Sequence, residues 1–184
     1  MKKTVNADLN RLDTEEFKRA RKLPITVVLD NVRSQNNTGS VFRSGDAFRI
    51  DRIILCGITA TPPHREIHKT ALGAEESVQW VYEPNTVSAI SKLKTEGYHL
   101  VAIEQAEGSV SLQDYTPSQK KTAYIFGNEI HGVSDEVMEQ VDECIEIPQF
   151  GTKHSINIAV SAGIVLWEVF KKMKGFSLFG LKKN

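Results

Sequence analysis

Short runs of β-branched and aliphatic residues, each followed by a helix-length segment, constrain this chain more than any other feature. Ile25-Thr26-Val27-Val28-Leu29, Arg52-Ile53-Ile54-Leu55-Cys56, Val78-Gln79-Trp80-Val81-Tyr82, Leu100-Val101-Ala102-Ile103-Glu104, Thr122-Ala123-Tyr124-Ile125-Phe126 and Cys144-Ile145-Glu146-Ile147 read as six strands. Between and around them, residues 14–22, 39–48, 66–72, 87–96, 134–141 and 156–174 read as helices. Asp13 or Thr14 caps the first, Pro24 follows it, and Gly73 and Gly97 close the third and fourth. Residues 30–38, rich in Asn and Ser, read as a loop. Such alternation calls for an α/β fold with a mostly parallel sheet and helices on both faces.

Length and composition fit one domain with a sizeable core. The chain has 184 residues, 40% of them apolar and 25% charged, ordinary globular values. Two cysteines, Cys56 and Cys144, lie far apart, which argues against a disulfide framework and fits a reducing compartment. Residues 1–12 have no apolar run resembling a signal peptide, and no stretch approaches the ~18 apolar residues of a membrane span. The expectation is a cytoplasmic protein with no membrane contact. Net charge is zero, but residues 1–22 carry +3 and residues 171–184 carry +5, leaving −8 on the body. Basic ends on an acidic body suit a grip on a phosphate backbone, or are merely solvated.

In a parallel sheet, ligands bind in loops beyond the carboxyl ends of the strands. Three such loops stand out. Asn36-Asn37-Thr38-Gly39-Ser40-Val41-Phe42-Arg43 offers an amide, a glycine that admits close backbone approach, and a helix start where a phosphate would be favoured. Phe126-Gly127-Asn128-Glu129-Ile130-His131-Gly132-Val133-Ser134 sets a carboxylate between two glycines, with Ser134 as a cap for the next helix. The third runs from Ile147-Pro148 to Ser155-Ile156-Asn157, where Ser155 and Asn157 either cap the closing helix or face a ligand.

In that order, these three segments resemble the three motifs of the SpoU/TrmH family, RNA ribose 2′-O-methyltransferases of the SPOUT superfamily. The resemblance spans roughly residues 25–170. It implies S-adenosylmethionine as methyl donor, tRNA or rRNA as substrate, a homodimer, and a deep trefoil knot near the C-terminus. It makes Asn37, Arg43, Glu129, Ser155 and Asn157 the catalytic set, with Arg43 serving the partner subunit's site. Gly127, Ile147, Ile156 and Gln105 become the cofactor contacts. It also implies three parts: a basic helical extension over residues 1–24, a methyltransferase domain over 25–174 and a basic tail over 175–184, with no room for a separate N-terminal RNA-binding domain. Where the family commonly reads Ser-Leu-Asn-Val-Ser, this chain reads Ser155-Ile156-Asn157-Ile158-Ala159, so a hydroxyl is lost at Ala159. Two other readings stand beside this one: an RNA-binding protein of the same fold without catalysis, and an enzyme that methylates a base. His64 and His68 lie four apart but lack metalloprotease spacing, so no metal is expected. Trp80, Trp167 and most phenylalanines lie in apolar runs and are expected in the core.

Overall fold

A computed structural model describes residues 1–3, 5, 9, 11–118 and 120–180, with the side chain of Phe176 left out. Seven strands form one sheet: β1 (Leu23–Asp30), β2 (Ile50–Cys56), β3 (Gln79–Glu83), β4 (His99–Ile103), β5 (Val110–Ser111), β6 (Thr122–Phe126) and β7 (Glu143–Glu146). Their order is β3-β2-β1-β6-β4-β7-β5, and every strand pairing in it is parallel. The helices are α1 (Thr14–Arg19), α2 (Gln35–Ala47), α3 (Arg65–Ala71), α4 (Ala74–Ser77), α5 (Thr86–Thr95), α6 (Asp135–Met138), α7 (Ile158–Lys172) and α8 (Gly175–Leu178).

The two-residue period of each strand divides the core between the two faces of the sheet. Ile25, Val27, Leu29, Ile53, Leu55, Val101, Tyr124 and Phe126 join Phe42, Ile67, Ala162, Val165 and Leu166 from α2, α3 and α7 on one face. Val28, Ile54, Cys56, Leu100, Ala102, Ala123 and Ile125 join Ala89, Ile90, Leu93 and Val137 from α5 and α6 on the other. Both faces are covered, as the near-continuous apolar strands require.

Several boundaries differ from the sequence reading, each for a local reason. Helix α1 ends at Arg19, before residue 22, and is fixed by a capping box between Asp13 and Glu16. Pro24 sits inside β1 rather than ending the helix. Helix α2 begins four residues earlier than expected, because the Ser34 side chain accepts from Asn37 N and caps it. Asn36, Asn37 and Thr38 are therefore helical. Strand β5 and helix α4 are too short to leave a periodic signal. Ser134 stands at the start of α6 but its side chain does not cap it. Its hydroxyl instead donates to Asp30 Oδ2 at 3.1 Å, and Asp30 also takes the Thr86 hydroxyl at 2.5 Å. That buried carboxylate ties the end of β1 to α5 and α6.

Trp167 is 46% exposed, contrary to its expected place in the core, and Phe150 is 98% exposed. Trp80 is partly buried at the edge of the first cluster. Beyond α7, the segment expected as a tail opens with α8, and Phe179 packs against Phe170 and under the Arg49 guanidinium. Lys182 and Lys183 lie outside the described residues. Among the described residues, no helix is long and apolar enough to cross a membrane.

Candidate active site

The carboxyl ends of β4, β6 and β7 open into a cavity of about 540 Å³, within the range that takes a small-molecule cofactor. Three loops wall it: the residues after β4, the turn after β6, and the segment between β7 and α7. Gln105, Gly127, Glu129, Ile147, Ser155, Ile156 and Asn157 all line it. Asn37 and Arg43 are not among its lining residues.

The turn after β6 folds tightly on itself. Asn128 N donates to Gly132 O at 2.8 Å and Gly132 N to Asn128 O at 2.9 Å. A Cβ on Gly127 would stand 1.9 Å from the Gly132 carbonyl carbon, so only glycine permits the crossing. The Asn128 side chain accepts from Ile130 N and donates to Asn31 O, pinning the turn internally and to the loop after β1. This turn presents Glu129 to the start of α2. Arg33 N and Ser34 N each donate to its carboxylate at 3.0 Å, and Asn37 Nδ2 donates at 3.2 Å. The helix start expected to receive a phosphate is therefore taken by this chain's own carboxylate. Partial burial pushes the Glu129 carboxyl up, but the N–H groups of Arg33, Glu129 and Ser34 and the Asn37 amide outweigh it and hold it below the usual range.

Asn157 both caps and reaches outward. Its Oδ1 accepts from Ala159 N and Val160 N, capping α7, while its Nδ2 donates to Asn37 Oδ1 at 3.1 Å. Capping fixes which end of the amide is oxygen, and the chain Asn157 to Asn37 to Glu129 then fixes the Asn37 amide in turn. Three residues that are 120 and 92 positions apart in sequence meet at the rim of the cavity. Ser155 is exposed at the same rim.

Gln105 Nε2 donates to His154 O at 2.7 Å, so its side chain joins two walls of the cavity. The sequence reading overlooked Glu104, which it placed in a strand. Glu104 lines the cavity and accepts from Gln105 N at 2.9 Å and Val133 N at 3.0 Å. Its position one residue before Gln105 at a strand end was the available signal.

Arg43 lies on α2 six residues beyond Asn37, exposed and without a hydrogen bond or ion pair among the described residues. Gly39 serves packing rather than a ligand: a Cβ there would stand 2.1 Å from Thr70 Oγ1 and 2.3 Å from Ile67 O on α3. His64 caps α3, and His68 Nδ1 lies 2.5 Å from Glu75 Oε1. Burial pushes the Cys56 thiol up to about 12 and raises that of Cys144 as well, so neither is poised as a thiolate nucleophile.

A parallel α/β sheet with a cavity of cofactor size at its carboxyl edge, rimmed by two amides and a carboxylate, is the architecture of a small-molecule-binding α/β domain. Residues 24–167 match the SpoU rRNA Methylase family, and the chain belongs to it. It is 31% identical to the tRNA (guanosine(18)-2′-O)-methyltransferase of Aquifex aeolicus over 80% of this chain and 69% of that protein. It is 27% identical to the 23S rRNA (guanosine-2′-O-)-methyltransferase RlmB of Neisseria meningitidis over 89% of this chain and 65% of that one. Among solved structures, the A. aeolicus TrmH/SpoU tRNA modifying enzyme superposes with a TM-score of 0.79 at 25% identity, covering 91% of this chain and 83% of that one. The AdoMet-bound rRNA methyltransferase of Sinorhizobium meliloti superposes with a TM-score of 0.77 at 30% identity, covering 82% and 57%. The chain spans 60 to 65% of the length of several of the curated relatives that it matches.

Proposed function

We propose that this protein transfers a methyl group from S-adenosylmethionine to a ribose 2′-hydroxyl of tRNA or rRNA. The observation that carries the reading is the Asn157–Asn37–Glu129 chain at the rim of the cavity, joined from three separate segments in a chain of this family. The relatives named for guanosine 2′-O-methylation and the AdoMet-bound neighbour support it. The cavity suits the cofactor: its walls combine apolar Ile103, Phe126, Ile147 and Ile156 with amides and carboxylates. Gly127, Ile147, Ile156 and Gln105 would hold the cofactor, with the Gln105 side chain braced on His154 O. When bound, S-adenosylmethionine supplies a methyl group activated by a sulfonium.

A ribose hydroxyl is a weak nucleophile, so the chain's main task is alignment, which is worth about 7–11 kcal/mol in well-oriented systems. Asn37, with its amide fixed from both sides, and Ser155 orient the ribose. The proton of the ribose hydroxyl would leave to a phosphate oxygen or water. Glu129 orders the start of α2 through the three donors Arg33 N, Ser34 N and Asn37 Nδ2. Arg43 acts in the partner subunit's site as a phosphate clamp and electrostatic stabiliser, since a guanidinium does not give up its proton in proteins and is ill suited to act as a base.

The same reading includes a homodimer, a C-terminal trefoil knot, a cytoplasmic setting and a methyltransferase domain over residues 25–174. The basic segments 1–24 and 175–184 contact RNA. The test is to incubate the protein with methyl-labelled S-adenosylmethionine and total tRNA or ribosomal RNA, digest the product, and separate the nucleosides. Label on 2′-O-methylnucleosides is expected, and Arg43→Lys should lower the rate about a hundredfold while melting with the wild type. Label on a base would favour the base-methylating reading. Cofactor binding without transfer to any RNA would favour an RNA-binding protein without catalysis.

A further inference from the structure

The formal charges lining the cavity are all of one sign. Of its lining residues, Glu104 and Glu129 are acidic, none is lysine or arginine, and the basic groups are the imidazoles of His131 and His154, which carry no formal charge when neutral. The two carboxylates are not equivalent. Glu129 is turned to the start of α2, where backbone N–H groups surround it. Glu104 stays with the walls themselves: Oε1 takes Gln105 N and Oε2 takes Val133 N, and its main chain is held by Ile145 O at 3.1 Å. A Cβ on Gly132 would stand 2.1 Å from Glu104 Oε2, so the turn after β6 is pressed directly on this carboxylate. Both of its hydrogen bonds are to uncharged amides, which orient the charge without cancelling it.

A fixed, uncancelled negative charge in a cavity wall favours a cationic occupant over a neutral one of the same shape. The reaction proposed above converts one into the other, because loss of methyl turns a sulfonium into a thioether. We propose that Glu104 is a specificity-determining residue that biases the cavity toward the cationic methyl donor and against the neutral thioether product. The inference rests on the cofactor reading. It assigns Glu104 a part in product release as well as in shaping the walls, with the two hydrogen bonds serving to keep the carboxylate from swinging to solvent.

Calorimetric titration with two ligands of nearly one shape tests it without turnover. Sinefungin carries an amine in place of the sulfonium, and S-adenosylhomocysteine is the thioether. The wild type should bind sinefungin more tightly. Glu104→Gln, close in shape but without the charge, should lower the sinefungin-to-thioether affinity ratio about three- to tenfold, the scale of one charge acting across a partly screened interior. Glu104→Asp keeps the charge on a shorter stem and should keep the ratio within about twofold even where both affinities fall. Equal loss for both ligands in Glu104→Gln would make Glu104 a structural brace only and overturn the inference while leaving the cofactor reading intact. A wild type that binds the thioether as tightly as sinefungin overturns it too, whatever becomes of the variants. Binding of neither ligand would sink the cofactor reading, and this inference with it.

Discussion

Asn157 does two jobs with one side chain, and the two separate by substitution. Its Oδ1 caps α7, and its Nδ2 holds Asn37. An aspartate keeps the cap and even suits the helix dipole, but it puts an acceptor against the Asn37 oxygen. Asn157→Asp is therefore expected to melt within a few degrees of the wild type yet lose at least tenfold in methyl transfer. Asn157→Ala should lose the same activity and about 1 kcal/mol of stability besides. Thermal denaturation beside a turnover assay checks both, and full activity in the aspartate variant would remove the amide chain from the mechanism. In sequence, Asn157 was legible as a residue that caps or binds. That it does both follows only from the meeting with Asn37, 120 residues earlier.

Helix α2 sets the distance between the rim of the cavity and the flank of the molecule. It crosses α3 so closely that Gly39 leaves no room for a Cβ against Thr70 Oγ1 and Ile67 O. The Thr70 hydroxyl also donates to Asn36 O at 3.0 Å, next to Asn37. Gly39→Ala should push the helices apart, because a backbone carbonyl cannot swing aside as a side-chain end can. A loss of about 1–3 kcal/mol is expected, measurable by urea denaturation, together with weaker activity through a displaced Asn37. A variant as stable as the wild type would mean that the contact relaxes easily. The periodicity of α2 was legible from about Gly39 onward, but its first turn was not. Asn and Ser signal loops in general, and here a capping serine draws Asn36 and Asn37 into the helix.

At the scale of the molecule, α7 leaves Val160, Ile164 and Trp167 exposed at 52%, 37% and 46%. Spaced by four and three, they share one face of the helix, while Ala162, Val165, Leu166 and Val169 are buried against the sheet. In the homodimer proposed above, a second copy of the chain would cover this stripe. Ile164→Asp should then shift sedimentation toward the monomer without unfolding the protein, and cost activity because Arg43 no longer reaches a partner's cavity. A wild type that sediments as a monomer at tens of micromolar would remove the dimer from the reading.

The sequence by itself determined the class of fold, most of the strands and long helices, and the three loops that carry polar residues. Strand and helix periods are local properties, and a polar loop between buried elements is visible without coordinates. Tertiary structure decided the strand order, with β6 between β1 and β4, and this order brings the three loops to one edge. It also decided that Glu129 fills the start of α2, that Gly39 serves a helix crossing, and that Glu104 is a wall of the cavity. Each of these depends on which distant segment arrives at a position, and residue spacing along one chain carries no record of that.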